Sequence, residues 1–153
     1  MIAPSLGNRS LAVDAAYIAP SRLAEALVLS PYPVEGAVEP GIEVSVDIDK
    51  FPQILGGDLD SEVTAALAVS QRPLGAGAFG EPAPVAAWAS KPTWGIVASG
   101  DKAMNPDMRR FGYERAGATV AEVDSSHLVM LAHPSAVVTV IQRALRAATT
   151  DRT

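Results

Sequence analysis

Two runs, Trp94-Gly-Ile-Val-Ala-Ser-Gly-Asp101 and Val120-Ala-Glu-Val-Asp-Ser-Ser-His127, decide how this chain is read. Each is a short apolar stretch broken off by small residues, the pattern of a buried strand, with an ionisable side chain just beyond its end. In open parallel α/β sheets ligands bind outside the carboxyl ends of the strands. An acid and a base presented there stand where such folds keep their chemistry. Acid before base in chain order suits the last two members of a nucleophile, acid and base triad, and places the nucleophile upstream of both. Taken singly, each residue also has a plainer role. Gly-Asp is a common turn signal, and a lone histidine after a strand can cap a turn or fill a packing site.

Outward from these runs, strands are expected at 93–99 and 119–123, with another at 26–30. A weaker one at 42–46 is suggested by the alternation of Ile42, Val44 and Val46. Helices are expected at 58–71, 106–116 and 134–149. The second has clear end signals: Asn105 as cap, Pro106 in the first turn, Asp107 at the positive end of the dipole and Gly117 as terminator. The third carries Val137, Val140, Ile141, Ala144, Leu145 and Ala148 on one face, which must pack on the sheet. The fold class is therefore α/β, with mainly parallel strands flanked by helices. Pro- and Gly-rich stretches at 30–41 and 72–84 bracket an insertion near 41–73.

Composition narrows the function classes. With 48% hydrophobic and 19% charged residues, the 153-residue chain has ample material for one domain with a core. It has no cysteine, which excludes disulfides, thiolate metal sites and a cysteine nucleophile. A net charge of −5 with 12 Lys and Arg gives no footprint for nucleic acid. No window approaches the roughly 18 apolar residues of a membrane span, and a cytoplasmic setting is expected. No metal or cofactor is implied. Gly75-Ala-Gly77-Ala-Phe-Gly80 satisfies G-x-G-x-x-G, but it lacks a preceding strand, and Pro82 and Pro84 prevent a regular helix from opening at its third glycine. Asp124 is expected to fold back on its own loop, and Ser125 and Ser126 to be loop residues within reach of the site. His133 should help to begin the last helix. Arg109, Arg110, Glu114 and Arg115 read as a solvated helix face.

Together, Lys91 to Pro106, Arg115 to His127 and the terminal helix resemble the C-terminal part of an esterase-like α/β-hydrolase. Ala26-Leu-Val-Leu-Ser-Pro-Tyr-Pro-Val-Glu-Gly36 looks like that family's preceding core strand, and Phe51 to Pro73 like a cap insertion. Ala3-Pro-Ser-Leu-Gly7 matches a relaxed nucleophile elbow, with Pro4 and Asn8 where the family usually has His and Gly.

The resemblance implies ester or related acyl-bond hydrolysis, with Ser5 as nucleophile, His127 as general base and Asp101 as its orienting acid. The Leu6 amide would be an oxyanion donor, and Phe51, Ile54 and Leu55 would line an apolar pocket for a small acyl substrate. The family's domain usually needs about 200–250 residues. The early strands and the loop of the second oxyanion donor are expected to be missing, and activity to be weak or nil. The alternative is a non-catalytic remnant or a partner-dependent binding subunit. Its exposed sheet edge would be met by a second copy or by a complementing N-terminal segment.

Overall fold

The computed structural model describes residues 21–80 and 86–150. In chain order these form β1 (Leu27–Tyr32), β2 (Gly41–Val46), α1 (Phe51–Leu55), α2 (Ser61–Ser70), β3 (Leu74–Gly75), β4 (Trp94–Ala98), α3 (Pro106–Arg115), β5 (Thr119–Val123), α4 (Val129–Ala132) and α5 (Pro134–Thr150). Three short 3-10 turns, at Arg22–Ala26, Ala76–Phe79 and Ala87–Ala89, complete the described elements.

Strands β4 and β5 pair in parallel from Trp94 opposite Thr119 to Ala98 opposite Val123. Parallel pairing needs a crossover, and α3 supplies it with the expected signals in use. The Asn105 side chain accepts the Asp107 amide at 2.8 Å, and Pro106 occupies the first turn, where its missing N–H costs nothing. At the other end Gly117 adopts φ +60°, a left-handed conformation that lets the Ala118 amide return to the Tyr113 carbonyl at 3.0 Å. Gly95 in β4 has a packing reason. A Cβ there would sit 2.4 Å from the Tyr113 ring, so glycine lets α3 lie close on the strand. Val97 and Ala98 are buried at the carboxyl end of β4, while β5 leaves Val120 exposed as an edge strand would.

The strand expected at 26–30 forms as β1, displaced to Leu27–Tyr32. Among the described residues it pairs antiparallel with β2, Leu27 opposite Val46 through Tyr32 opposite Gly41, and β3 joins β2 on its other side. Tyr32 covers its cross-strand partner Gly41, whose missing side chain makes room for the ring. The G-x-G-x-x-G stretch supplies the two-residue β3 and the 3-10 turn at Ala76–Phe79, and residues 81–85, where the expected absence of a helix falls, lie outside the described residues.

This antiparallel unit docks on the loop after β4. Ala26, Ile54 and Ala103 form a buried cluster with Leu23, Val46 and Leu55 against it, and the Arg22 amide donates to the Lys102 carbonyl at 2.9 Å. Helix α2 starts at Ser61, not at 58, because Asp60 is its cap and accepts the Glu62 amide. Helix α5 lies against β4 with Val137 and Val140 half-buried, but Ile141 and Leu145 on the same apolar stripe remain exposed. No helix among the described residues is long and apolar enough to cross a membrane.

Candidate active site

The carboxyl ends of β4 and β5 are drawn together by their backbones. The Ser99 amide donates to the Val123 carbonyl and the Gly100 amide to the Ser125 carbonyl, at 2.9 and 3.0 Å. A Cβ on Gly100 would lie 3.0 Å from that Ser125 oxygen, tighter than side chains normally tolerate, so glycine permits the approach. The next residue on one loop is Asp101, and His127 follows Ser125 and Ser126 on the other.

Their side chains meet: His127 Nδ1 lies 2.8 Å from Asp101 Oδ2. The Asp101 side chain is wholly buried and is met by four donors. Oδ1 accepts the amides of Ala103 and Met104 at 2.8 and 2.9 Å, and Oδ2 accepts Arg109 Nη2 at 2.9 Å as well as His127. Burial works to raise the Asp101 pKa. The hydrogen bonds from His127 and the Met104 amide, with the positive potential of His127 and Arg109, outweigh burial and hold the carboxyl below its ordinary range. An ionised carboxylate only accepts hydrogen bonds, so in the neutral imidazole Nδ1 must carry the proton, which leaves the lone pair on Nε2. That is the tautomer a general base needs. His127 also borders a cavity of about 250 Å³ with Trp94, Arg109, Tyr113, Met130 and the apolar side chains of α5.

Arg109 departs from its expected place. Instead of belonging to a solvated face with Arg110, its side chain is only 10% exposed, because α3 starts directly after the Asp101 loop and turns this position inward. Its Nε is buried without a hydrogen-bond partner, so the Asp101 bond is its principal compensation. Arg110 does lie at the surface, paired with Asp107 at 2.5 Å and with Glu122.

Asp124 does not fold back on its own loop: it accepts the Ser99 hydroxyl, from the loop after β4, at 3.3 Å. Ser125 and Ser126 are buried, and both reach Asp58. Asp58 was expected inside a helix and instead lies in the turn before Asp60. Gly56-Gly57 just ahead of it is the signal that a turn, not a helix, holds this residue. The His133 carbonyl accepts the Ala136 amide at the start of α5.

Phe51 and Ile54 are buried, Ile54 in the cluster with Ala26 and Ala103, and neither they nor Leu55 border the cavity at His127. The Leu55 carbonyl does reach the histidine loop, accepting the Leu128 amide at 3.1 Å. Ser5 and Leu6 lie outside the described residues. Among the described residues no group of three His, Asp or Glu side chains is placed to hold a metal ion.

Comparison with known proteins points in one direction. The model of a family described as "Alpha/beta hydrolase family" matches residues 1–140. A crystal structure of polyneuridine aldehyde esterase superposes with a TM-score of 0.68 at 19% identity, covering 92% of this chain and 57% of that one. A histidine-to-alanine mutant of the same esterase gives 0.67 at 18% identity, with 92% and 56% covered. The chain thus spans little more than half the length of these solved structures, and at this identity the likeness is one of fold. No curated protein matches the chain.

Proposed function

The chain belongs to the alpha/beta hydrolase family, and from that premise we propose that it hydrolyses an ester or related acyl bond of a small molecule through Ser5, His127 and Asp101. The observation that carries the reading is the 2.8 Å contact of His127 Nδ1 with the buried Asp101 carboxylate, at the ends of two adjacent parallel strands. In the proposed reaction Ser5 Oγ bonds to the carbonyl carbon while His127 Nε2 takes its proton. The carbonyl oxygen becomes an oxyanion that the Leu6 amide stabilises. Collapse expels the alcohol, which receives the proton from His127, and water then repeats the sequence on the acyl-serine with His127 again as base. Asp101 holds the tautomer and stabilises the imidazolium that forms. A cytoplasmic setting and a single domain with 41–73 as its cap belong to the same proposal, while the substrate pocket is the cavity beside His127, which Phe51, Ile54 and Leu55 do not border.

Loss of a single oxyanion donor costs about 10²–10³ in rate, which is the weight the Leu6 amide would carry in this reaction. The test is hydrolysis of a chromogenic short-chain ester by purified protein beside His127→Ala and Ser5→Ala. Activity that both substitutions abolish supports the triad. Activity that survives His127→Ala refutes it.

A second reading, a binding subunit without turnover, is favoured by one observation: Ile141 and Leu145 of α5, on the stripe that meets β4, are 53% and 61% exposed. Apolar surface of this kind often marks an association site. In that case the ester is not cleaved, and light scattering at several concentrations shows self-association, or association with an added N-terminal segment of a hydrolase.

A further inference from the structure

We propose that Asp58 is a positioning residue for His127, through which the turn after α1 sets the place of the imidazole. This inference deepens the hydrolase reading and rests on it. The bonds fall on both neighbours of the histidine. On one side Asp58 Oδ2 accepts the Ser126 amide at 2.9 Å, and Oδ1 accepts the Ser126 hydroxyl. On the other, the Leu128 amide donates to the Leu55 carbonyl at 3.1 Å, and that carbonyl, 3.0 Å from the Ser126 hydroxyl, shares its single proton with Asp58. Ser125 adds a third donor to Asp58 at 2.7 Å, and His133 Nε2 stands 3.8 Å from the same oxygen. His127 is therefore suspended between two anchors on the α1 side, and its own side chain is free to be spent on Asp101.

The chemistry of Asp58 suits a permanent anchor. Its slight burial works to raise its pKa, but the hydroxyls of Ser125 and Ser126, with the Ser126 amide and its own, lower it to about 2. The acceptor stays ionised over the whole range in which a histidine can act as base. Ser125 and Ser126 are both buried, so losing Asp58 would leave the Ser125 hydroxyl and the Ser126 amide to find partners by moving the loop, with the Ser126 hydroxyl held by the Leu55 carbonyl alone. The last residues of the loop after β5 are thus held from outside the sheet, while the strand ends fix only its beginning. Asp58 touches none of the proposed reacting atoms and acts through His127 alone.

Amide hydrogen exchange and the imidazole proton spectrum of the full chain test this. In Asp58→Ala the amides of Ser126 and Leu128 should exchange about tenfold faster or more, while those of β4 and β5 are unchanged, as for a local opening. The Nδ1 proton signal, visible while Asp101 holds it, should broaden or vanish. Ser126→Ala, which removes only the hydroxyl anchor, should move the same signals less, and this milder variant serves if Asp58→Ala does not fold. Unchanged exchange at Ser126 and Leu128 overturns the proposal, as does a uniform acceleration that includes β4 and β5. These readouts do not need turnover: an inactive wild-type protein would count against the hydrolase reading and leave the anchoring of His127 to stand or fall on exchange.

Discussion

Replacing Asp101 by alanine should lower stability by about 3–5 kcal/mol, the range for removing one partner of a buried ion pair and leaving the other uncompensated. The estimate follows from burial. The Asp101 side chain is 0% exposed and that of Arg109 10%, so water cannot replace the carboxylate at the guanidinium without the loop opening. Two loop amides, of Ala103 and Met104, lose their acceptor as well. A control lies one residue further along the same helix. Arg110 pairs with Asp107 and Glu122, but its side chain is 41% exposed, and exposed pairs contribute little.

Urea unfolding followed by the fluorescence of Trp88 and Trp94 separates the two. With a slope of about 1–3 kcal/mol per molar urea, Asp101→Ala should move the midpoint down by about 1 M or more. Arg110→Ala should leave it where it is. Adding Arg109→Met to the Asp101→Ala protein removes the orphaned charge and should raise the midpoint again, since apolar replacement of a whole buried pair is often neutral or better. If Asp101→Ala shifts the midpoint no more than Arg110→Ala does, or if Arg109→Met lowers it further, the buried carboxylate is not what holds this loop.

The acid side of the stability profile should show the same groups. Folded-state pKa values below the unfolded ones mean that Asp101 and Asp58 contribute stability in full above their unfolded values of about 3.9. That contribution is lost as the pH falls through the folded values, about 2 for Asp58. Unfolding midpoints measured from pH 5 down to pH 2 should fall less steeply in Asp101→Asn than in the wild type, and an identical slope would refute the assignment. Gly95→Ala places a methyl group 2.4 Å from the Tyr113 ring, so a lowered melting temperature with altered tyrosine near-UV circular dichroism is expected. Gly117→Ala puts a side chain at φ +60° and should cost about 1–2 kcal/mol by chemical denaturation, whereas Gly112→Ala, in helix α3 with open space around it, should not be destabilising.

What the sequence by itself determined is what local chemistry controls. Strands β4 and β5, helix α3 with its Asn105 cap and Gly117 stop, and the long helix α5 were all legible because period, cap and terminator lie within a few residues of one another. The two strand ends were legible for the same reason, and with them the positions of Asp101 and His127. Three features were decided only when the chain folded. The pairing of β1 with β2 is a choice among strand partners, and the apolar run at 26–30 suits a parallel or an antiparallel neighbour equally well. The burial of Arg109 depends on how α3 leaves the Asp101 loop, and beside Arg110 its charge alone reads as surface. The anchoring of His127 by Asp58 joins positions 58 and 126, far apart in sequence, through a hydroxyl, an amide and a carboxylate that no short pattern links. Even the 2.8 Å contact of Asp101 with His127 waits on Gly100 letting one backbone close on the Ser125 carbonyl. Local sequence sets which groups stand at the ends of strands, and the packing of loops between strands sets the ångströms that separate them.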